Sequence, residues 1–300
     1  MFQLSLVVFK RLQSSIAIIS LGMLLSFFSG LSFANEYPRA SIPFTEIREL
    51  HGSVNQTDYR LSIALPESHV AGSDKTYPVL FVLDANVAFA SVVQTQRILL
   101  LGNEAPEIII VGIGYPTAST SEWFRRRFID LTQTQSSEAE AQVKASWEED
   151  VKSGGADQFL KVLRDELIPF VEKNYPVNQD RALVGDSLGG LFSTYAMVHA
   201  PNLFSRFIIA SPSLWWDNEL GIKQVEDYGK AHDDLSAMVF IAYGSDESPL
   251  ITGPSAKLIK HLNEQGYSSL NLKHNVFPGE THLSVPPAVY SRGLREIYAE

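Results

Sequence analysis

The chain has 300 residues, 45% of them hydrophobic and 19% charged, which is typical of a globular protein and excludes a disordered, coiled-coil or collagen-like chain. With 24 Lys and Arg residues against 34 Asp and Glu residues, the net charge of −10 disfavours non-specific binding to nucleic acid or to an anionic membrane surface. Cysteine is absent, so disulfides, thiolate nucleophiles and cysteine-ligated zinc or iron–sulfur clusters are excluded.

The N-terminal segment has the pattern of a secretory signal peptide. Its only charged residues are Lys10 and Arg11, an apolar run covers about 16–28, and 32–34 (Ser-Phe-Ala) supplies small residues at the −3 and −1 positions of a cleavage site. An uncleaved membrane anchor is the alternative, because the apolar stretch to Leu31 approaches the length that spans a bilayer. The small residues that end the stretch favour cleavage.

We therefore predict a signal peptide over 1–34 and a mature chain over 35–300. The mature chain would be periplasmic or secreted, with no stable membrane association after cleavage. It keeps 22 basic residues against 34 acidic residues, a net charge of about −12.

Short apolar runs alternate with stretches of helical spacing in the mature chain. Strands are predicted at 59–65, 79–83, 108–111, 182–184, 207–210, 238–243 and 270–277. Helices are predicted at 157–175, with a bend or restart at Pro169, and at 188–199, 254–265 and 287–298. This alternation predicts a single domain with an α/β fold and a mostly parallel central sheet flanked by helices.

The segment 132–155 departs from this alternation. It is polar and rich in acidic residues, and it lacks a clear apolar stripe. The composition indicates a solvated loop or an exposed helix. The alternative is a mobile flap over a functional site, because long loops in compact domains are often functional.

A G-x-S-x-G motif, 185–189, follows the predicted strand at 182–184 and precedes a predicted helix. In this context Ser187 would sit at the tip of a sharp turn, with its hydroxyl aimed out of the sheet, and Gly185 and Gly189 would leave room for the turn. The N–H of Leu188 would face a substrate oxyanion. A phosphate-binding loop is the alternative, but no Gly-Lys-Ser/Thr follows. The motif therefore predicts a serine nucleophile on an α/β-hydrolase fold.

A serine nucleophile requires a base, and in this fold the chain order is serine, acid, histidine. His261 falls within a helical pattern and His274 within a predicted strand, whereas His282 lies in a loop before the last helix. We predict that His282 is the base. Two carboxylates, Asp246 and Glu247, follow the strand at 238–243, and both are candidates for the acid.

The loop after the strand at 79–83 is expected to supply a second oxyanion donor. We assign that role to the N–H of Asn86.

Over about 59–298 the chain resembles the family known as putative esterases, the esterase D-like branch of the α/β-hydrolases. The resemblance is carried by 77–84, 111–116, 127–132, 154–159, 166–170, 185–190 and 211–216. Ser-Pro-Ser-Leu-Trp-Trp at 211–216 and the Gly-x-x-Glu at 244–247 are most similar to esterases that hydrolyse ferric trilactone siderophores such as enterobactin or bacillibactin. The resemblance implies that Glu247, rather than Asp246, is the acid.

Three positions depart from the family pattern. Ala85 stands where a glycine is usual, Asp186 where a histidine is frequent, and Gln133 where a proline often follows. Asp186 beside the nucleophile would disfavour anionic substrates.

The residues expected around the substrate are aromatic and basic. Trp215 and Trp216 lie in a loop after a strand and are predicted to contact substrate, with core packing as the alternative. Arg126 and Arg127 could attract an acidic ligand, but a structural pair of Arg127 with Asp130 is the favoured interpretation.

The sequence therefore predicts an exported serine carboxylic-ester hydrolase that acts on a small-molecule ester and needs no metal or cofactor. Siderophore lactones, aryl esters and short-chain esters are the candidate substrates. The alternatives are an acyltransferase with the same triad and a non-catalytic binding protein on the hydrolase fold; a peptidase is less favoured.

Overall fold

An eight-stranded sheet organises residues 40–299, the part of the chain that the computed structural model describes. The predicted signal peptide over 1–34 lies outside the described residues. The chain divides into two compact units, Met1–Ile42 and Pro43–Glu300, and all elements below belong to the second. The boundary predicted between 34 and 35 stays a prediction.

The strand order is β1-β2-β4-β3-β5-β6-β7-β8. The strands are β1 (Thr45–Gly52), β2 (Thr57–Ala64), β3 (Tyr77–Val82), β4 (Ile109–Gly114), β5 (Val177–Asp186), β6 (Arg206–Ala210), β7 (Ala237–Gly244) and β8 (Leu270–Phe277). Strand β2 is antiparallel to both β1 and β4, and every other pair is parallel. The mostly parallel α/β sheet predicted from the apolar runs is confirmed.

Helices connect the strands. They are α1 (Ala85–Leu101), α2 (Thr120–Leu131), α3 (Ser137–Trp147), α4 (Ala156–Val162), α5 (Ile168–Asn174), α6 (Leu188–His199), α7 (Trp216–Ala231), α8 (Pro249–Gln265) and α9 (Pro286–Ile297). A π-helical turn, Leu163–Leu167, joins α4 to α5 just before Pro169. The predicted interruption is therefore present, because a proline within a helix disturbs the preceding turn. None of the helices in 40–299 is both long and apolar enough to cross a bilayer.

The acidic segment 132–155 contains helix α3. The hydroxyl of Ser136 caps this helix by accepting a hydrogen bond from the N–H of Ala139. Only Ala139 and Val143 of the helix are buried, which agrees with the exposed-helix interpretation. The proposed flap motion stays a prediction.

A buried carboxyl group attaches helix α2 to the sheet. The hydroxyls of Tyr59 and Tyr115 donate to Oδ2 of Asp130 at 2.8 and 2.9 Å. Burial raises the pKa of Asp130 to about 6, although both hydroxyls oppose the shift. These contacts join α2 to β2 and to the end of β4, and they hold the remaining side chains of α2 over the carboxyl edge of the sheet.

Tyr115→Phe should lower the free energy of unfolding by about 1–3 kcal/mol, because Asp130 loses a buried donor. Urea denaturation measures the change. Tyr243→Phe is the matched control, since Tyr243 is similarly buried and its hydroxyl makes no hydrogen bond within residues 40–299. That variant should lose less than about 0.5 kcal/mol. Equal losses in the two variants would contradict the role of the Asp130 contacts.

Candidate active site

Ser187 occupies the sharp turn between β5 and α6. Its backbone has φ 59° and ψ −115°, a conformation that residues other than glycine rarely adopt. The Ser187 N–H donates to the carbonyl of Ala210 at 3.0 Å, and the Ser213 N–H donates to the carbonyl of Ser187 at 3.0 Å. The turn is therefore held against the end of β6.

Glycines make this turn sterically feasible. A Cβ at Gly185 would lie 2.2 Å from the carbonyl oxygen of Gly189, and one at Gly190 would lie 2.7 Å from that of Ala210. A Cβ at Gly189 itself would be 3.3 Å from the nearest side-chain atom, which is tight but is not a clash. The strict requirement thus falls on 185 and 190, whereas the motif had assigned it to 185 and 189.

The turn places the Ser187 hydroxyl next to His282. Nε2 of His282 lies 3.0 Å from Oγ of Ser187, and Nδ1 lies 2.6 Å from Oε2 of Glu247. This geometry fits a histidine whose Nδ1–H donates to the carboxylate and whose Nε2 accepts from the serine hydroxyl. The structure therefore brings together the predicted serine, histidine and glutamate.

Glu247 is fixed by further hydrogen bonds. Its Oε1 accepts from the hydroxyl of Ser211 at 2.6 Å and from the N–H of Gly244 at 2.7 Å. Burial raises the pKa of Glu247, but hydrogen bonds from His282, Ser211 and Gly244 outweigh burial and hold the pKa below its usual range. The hydrogen bond to Glu247 in turn raises the pKa of His282, although burial opposes it.

The alternative carboxylate does not reach the histidine. Asp246 is exposed and accepts a hydrogen bond from the hydroxyl of Ser245 at 2.7 Å. Of the two neighbouring carboxylates, only Glu247 contacts His282.

The two predicted oxyanion donors differ in position. Leu188 begins α6 beside Ser187 and lines the cavity at this site, and its N–H has no helical partner because it lies in the first turn. Asn86 lies in the first turn of α1 and outside the cavity lining. Its side chain joins α1 to the end of β4, accepting from the N–H of Tyr115 at 2.8 Å and donating to the carbonyl of Thr117 at 3.2 Å. The Asn86 donor stays a prediction.

A cavity of about 350 Å³ opens in front of Ser187 and His282. Most of its wall is apolar, and the apolar residues include Phe124, Phe128, Val143, Trp147, Leu188, Trp215 and Ile251. Because Val143 and Trp147 belong to α3, the acidic segment 132–155 supplies one wall of the cavity.

The adjacent tryptophans have different environments. Trp215 is half-buried and lines the cavity. Trp216 is completely buried; its Nε1–H donates to Oγ1 of Thr134, and its ring packs against Phe128 with centroids 6.2 Å apart. The predicted substrate contact of Trp216 is therefore wrong, because its indole is part of the core.

Arg127 also has an unexpected partner. Its Nε and Nη2 each donate to one carboxylate oxygen of Asp84 at 2.8 Å, whereas Asp130 accepts from tyrosines. The predicted pair with Asp130 is therefore wrong. The contacts of Ser211 with Glu247 and of Ser213 with Ser187 were not predicted, although both serines lie within 211–216, one of the stretches that carry the family resemblance.

Asp186 precedes the nucleophile and is poorly compensated. Its Oδ1 is buried and accepts no hydrogen bond. Burial raises the pKa of Asp186 to about 7, while the positive charges of His282 and Arg127 oppose the shift.

Within residues 40–299 there is no cluster of three or more His, Cys, Asp or Glu side chains that could hold a metal ion.

A strand–turn–helix elbow, with its serine in contact with a histidine at the carboxyl edge of a parallel sheet, defines the α/β-hydrolase class. The family model described as "Putative esterase" matches residues 53–248. The chain belongs to this esterase family and is a carboxylic ester hydrolase.

Similar proteins agree with the family. The chain is 28% identical over 264 residues to the ferri-bacillibactin esterase BesA of Bacillus subtilis, covering 85% of this chain and 90% of that protein. Among solved structures, BES protein from Bacillus cereus has a TM-score of 0.76 and 28% identity, covering 88% of this chain and 98% of that one. An IroE-like serine hydrolase from Shewanella oneidensis has a TM-score of 0.74 and 26% identity, covering 85% of this chain and 80% of that one.

Glu247→Gln should lower the pKa of His282, because the imidazolium loses its anionic partner. An NMR titration of the histidine ring protons measures this pKa. Asp246→Asn is the matched control: it removes a neighbouring but exposed carboxylate and should leave the titration of His282 unchanged. An equal fall in the pKa of His282 in both variants, or no fall in either variant, would contradict the assignment of Glu247 as the partner.

Proposed function

We propose that this esterase hydrolyses a small-molecule ester with Ser187 as nucleophile, His282 as general base and Glu247 as the orienting acid. The observation that carries the proposal is the continuous series of contacts, 3.0 Å from Ser187 Oγ to His282 Nε2 and 2.6 Å from His282 Nδ1 to Glu247 Oε2. These are the distances that proton transfer from a serine to an oriented histidine requires.

The reaction proceeds in two halves. Oγ of Ser187 bonds to the ester carbonyl carbon while its proton moves to Nε2 of His282, and Glu247 stabilises the imidazolium. The carbon–alkoxy bond then breaks, and the alcohol leaves with the proton from His282. Water next attacks the acyl-enzyme, giving one proton to His282, and the Ser187 oxygen recovers that proton as the acid departs. No metal or cofactor takes part in these steps.

The oxyanion formed in each half needs donors in front of the carbonyl carbon. The N–H of Leu188 is supported by its place in the first turn of α6, where the helix end also carries partial positive charge. We assign the second donor to the N–H of Asn86, which likewise has no helical partner because it lies in the first turn of α1.

The substrate is proposed from the cavity and from the relatives. An apolar cavity bordered by Trp215 and Phe128 suits an aryl or short-chain acyl group. The similar BesA protein is named as a ferri-bacillibactin esterase, which supports a siderophore lactone as one member of this class.

We also propose that the enzyme is exported to the periplasm or outside the cell after removal of 1–34. The support is the sequence pattern of two basic residues, Lys10 and Arg11, an apolar run, and small residues before position 35.

Ser187→Ala should lower kcat/KM for p-nitrophenyl butyrate by about 10⁴-fold or more, because the covalent route is lost. It should also abolish labelling by a fluorophosphonate. Ser213→Ala is the matched control: its hydroxyl lies 3.2 Å from Ser187 Oγ, and removing it should preserve the labelling.

Turnover of p-nitrophenyl butyrate by Ser187→Ala at the wild-type rate would refute the proposal, provided that thermal unfolding shows an intact fold. Product analysis with an added alcohol distinguishes hydrolysis from acyl transfer. Free acid as the main product supports hydrolysis, whereas a new ester as the main product would identify a transferase.

A further inference from the structure

We propose that the active site selects esters with an uncharged acyl group and discriminates against acyl groups that carry negative charge. Among siderophore lactones, this selectivity favours the metal-free ligand over its ferric complex, because a ferric tris-catecholate is an anion. This selectivity rests on the proposed function, because it concerns the group that Ser187 would receive. It follows from how the charges around the cavity are paired.

The arginine that lines the cavity is already neutralised. Arg127 is the only lysine or arginine among the described residues that line the cavity. Two of its nitrogens hold both oxygens of Asp84 at 2.8 Å, and the two side chains are only 9% and 8% exposed. A buried bidentate pair of this kind leaves little attraction for a second carboxylate.

The pair is further restrained by its neighbours. The Nε1–H of Trp123 donates to Oδ1 of Asp84 at 3.1 Å, and the Arg127 guanidinium lies 5.2 Å from the Trp123 ring centroid. For Arg127 to turn toward a substrate, it would have to leave Asp84 and the face of Trp123, and Asp84 would remain as an uncompensated buried charge.

The other two arginines of the same helical turn are also paired. Arg125 contacts Glu149 at 2.7 Å, and Arg126 contacts Glu122 at 2.8 Å. Neither arginine lines the cavity. Residues 125–127 therefore contribute no unpaired cation to the cavity lining, which argues against the alternative that Arg126 and Arg127 attract an acidic ligand.

Carboxylates outnumber cations behind the reacting centre. Asp84, Asp186 and Glu247 face one arginine and one histidine, and Oδ1 of Asp186 has no hydrogen-bond partner. These carboxyl groups are buried, so water and salt screen their charges less than they screen an exposed charge. The local potential that an acyl group meets is therefore negative.

The cavity wall adds a second penalty for an anion. Phe128, Leu188, Trp215 and Ile251 provide apolar surface, which stabilises a methyl or aryl end. A carboxylate in the same position would lose water, and Arg127 in this lining is already paired with Asp84.

Two activated esters of equal chain length test the proposal: p-nitrophenyl hexanoate and the mono-p-nitrophenyl ester of adipic acid. They differ only in a terminal methyl or carboxylate, and each rate is corrected for spontaneous hydrolysis. For the wild-type enzyme at pH 8, kcat/KM should favour the hexanoate by about tenfold or more. The ratio of the two values is the readout, because effects on the shared acyl-transfer chemistry cancel in it.

Two variants identify the electrostatic part of that ratio. Asp186→Asn and Asp84→Asn each remove one negative charge near Arg127 while keeping the side-chain shape, so each should lower the ratio by about threefold or more. Asp246→Asn removes an exposed carboxylate and should leave the ratio unchanged. Thermal unfolding verifies that each variant is folded. If Asp84→Asn does not fold, Asp186→Asn alone tests the electrostatic effect.

Equal kcat/KM for both esters in the wild type would overturn the selectivity while leaving the proposed function intact. The selectivity would also be overturned if Asp186→Asn and Asp84→Asn had the same ratio of kcat/KM values for the two esters as Asp246→Asn. Failure of the wild type to hydrolyse either ester, together with no fluorophosphonate labelling, would instead overturn the proposed function and the selectivity with it.

Discussion

The strained backbone of Ser187 is the constraint on which the candidate site depends. A residue at φ 59°, ψ −115° costs about 1–3 kcal/mol, so it persists only where neighbouring contacts enforce it. Here the end of β6 enforces it, through the carbonyl of Ala210 and the N–H of Ser213. The same strand end carries Ser211, itself at a positive φ of 40°, whose hydroxyl donates to Glu247. One strand end thus fixes both the proposed nucleophile and the proposed acid.

Local patterns and chain order were sufficient to predict the parts of the site that follow from a single strand or loop. Ser187 was predictable because a glycine-flanked serine between a buried strand and a helix has few other structural explanations. His282 followed from its loop after β8. Glu247 and Asp246 could not be separated by position alone. What separates them is a turn in which the Gly244 N–H draws the Glu247 carboxylate inward.

Contacts between distant residues were not predictable in the same way. Arg127 and Asp130 stand three residues apart, a spacing that places them on neighbouring parts of a helix surface. In the fold, Asp130 faces Tyr59 and Tyr115, while Arg127 faces Asp84 at the end of β3. The tyrosine hydroxyls determine which of these pairs forms, and they come from β2 and from the residue that follows β4.

Dependence on distant contacts also explains why strand β1 was not predicted. Strand β1 pairs only with β2 at the sheet edge, so most of its side chains are not deeply buried and it has no continuous apolar run. Trp215 and Trp216 are adjacent in sequence, and only packing against Phe128 decides that Trp216 belongs to the core.

The charges around His282 connect catalysis with selectivity. Arg127 uses two nitrogens on Asp84 and so cannot hold Asp186 in the same way. Above its pKa of about 7, the ionised carboxyl group of Asp186 instead acts on His282, where it adds to the effect of Glu247 in favouring the protonated ring. An imidazolium forms transiently when Ser187 gives up its proton, so the surplus negative charge stabilises the state in which the histidine is charged. A negatively charged acyl group would meet the same potential before the reaction begins, when no imidazolium is present to offset it. An arrangement that assists proton transfer thereby disfavours anionic substrates, and the two effects share one cause.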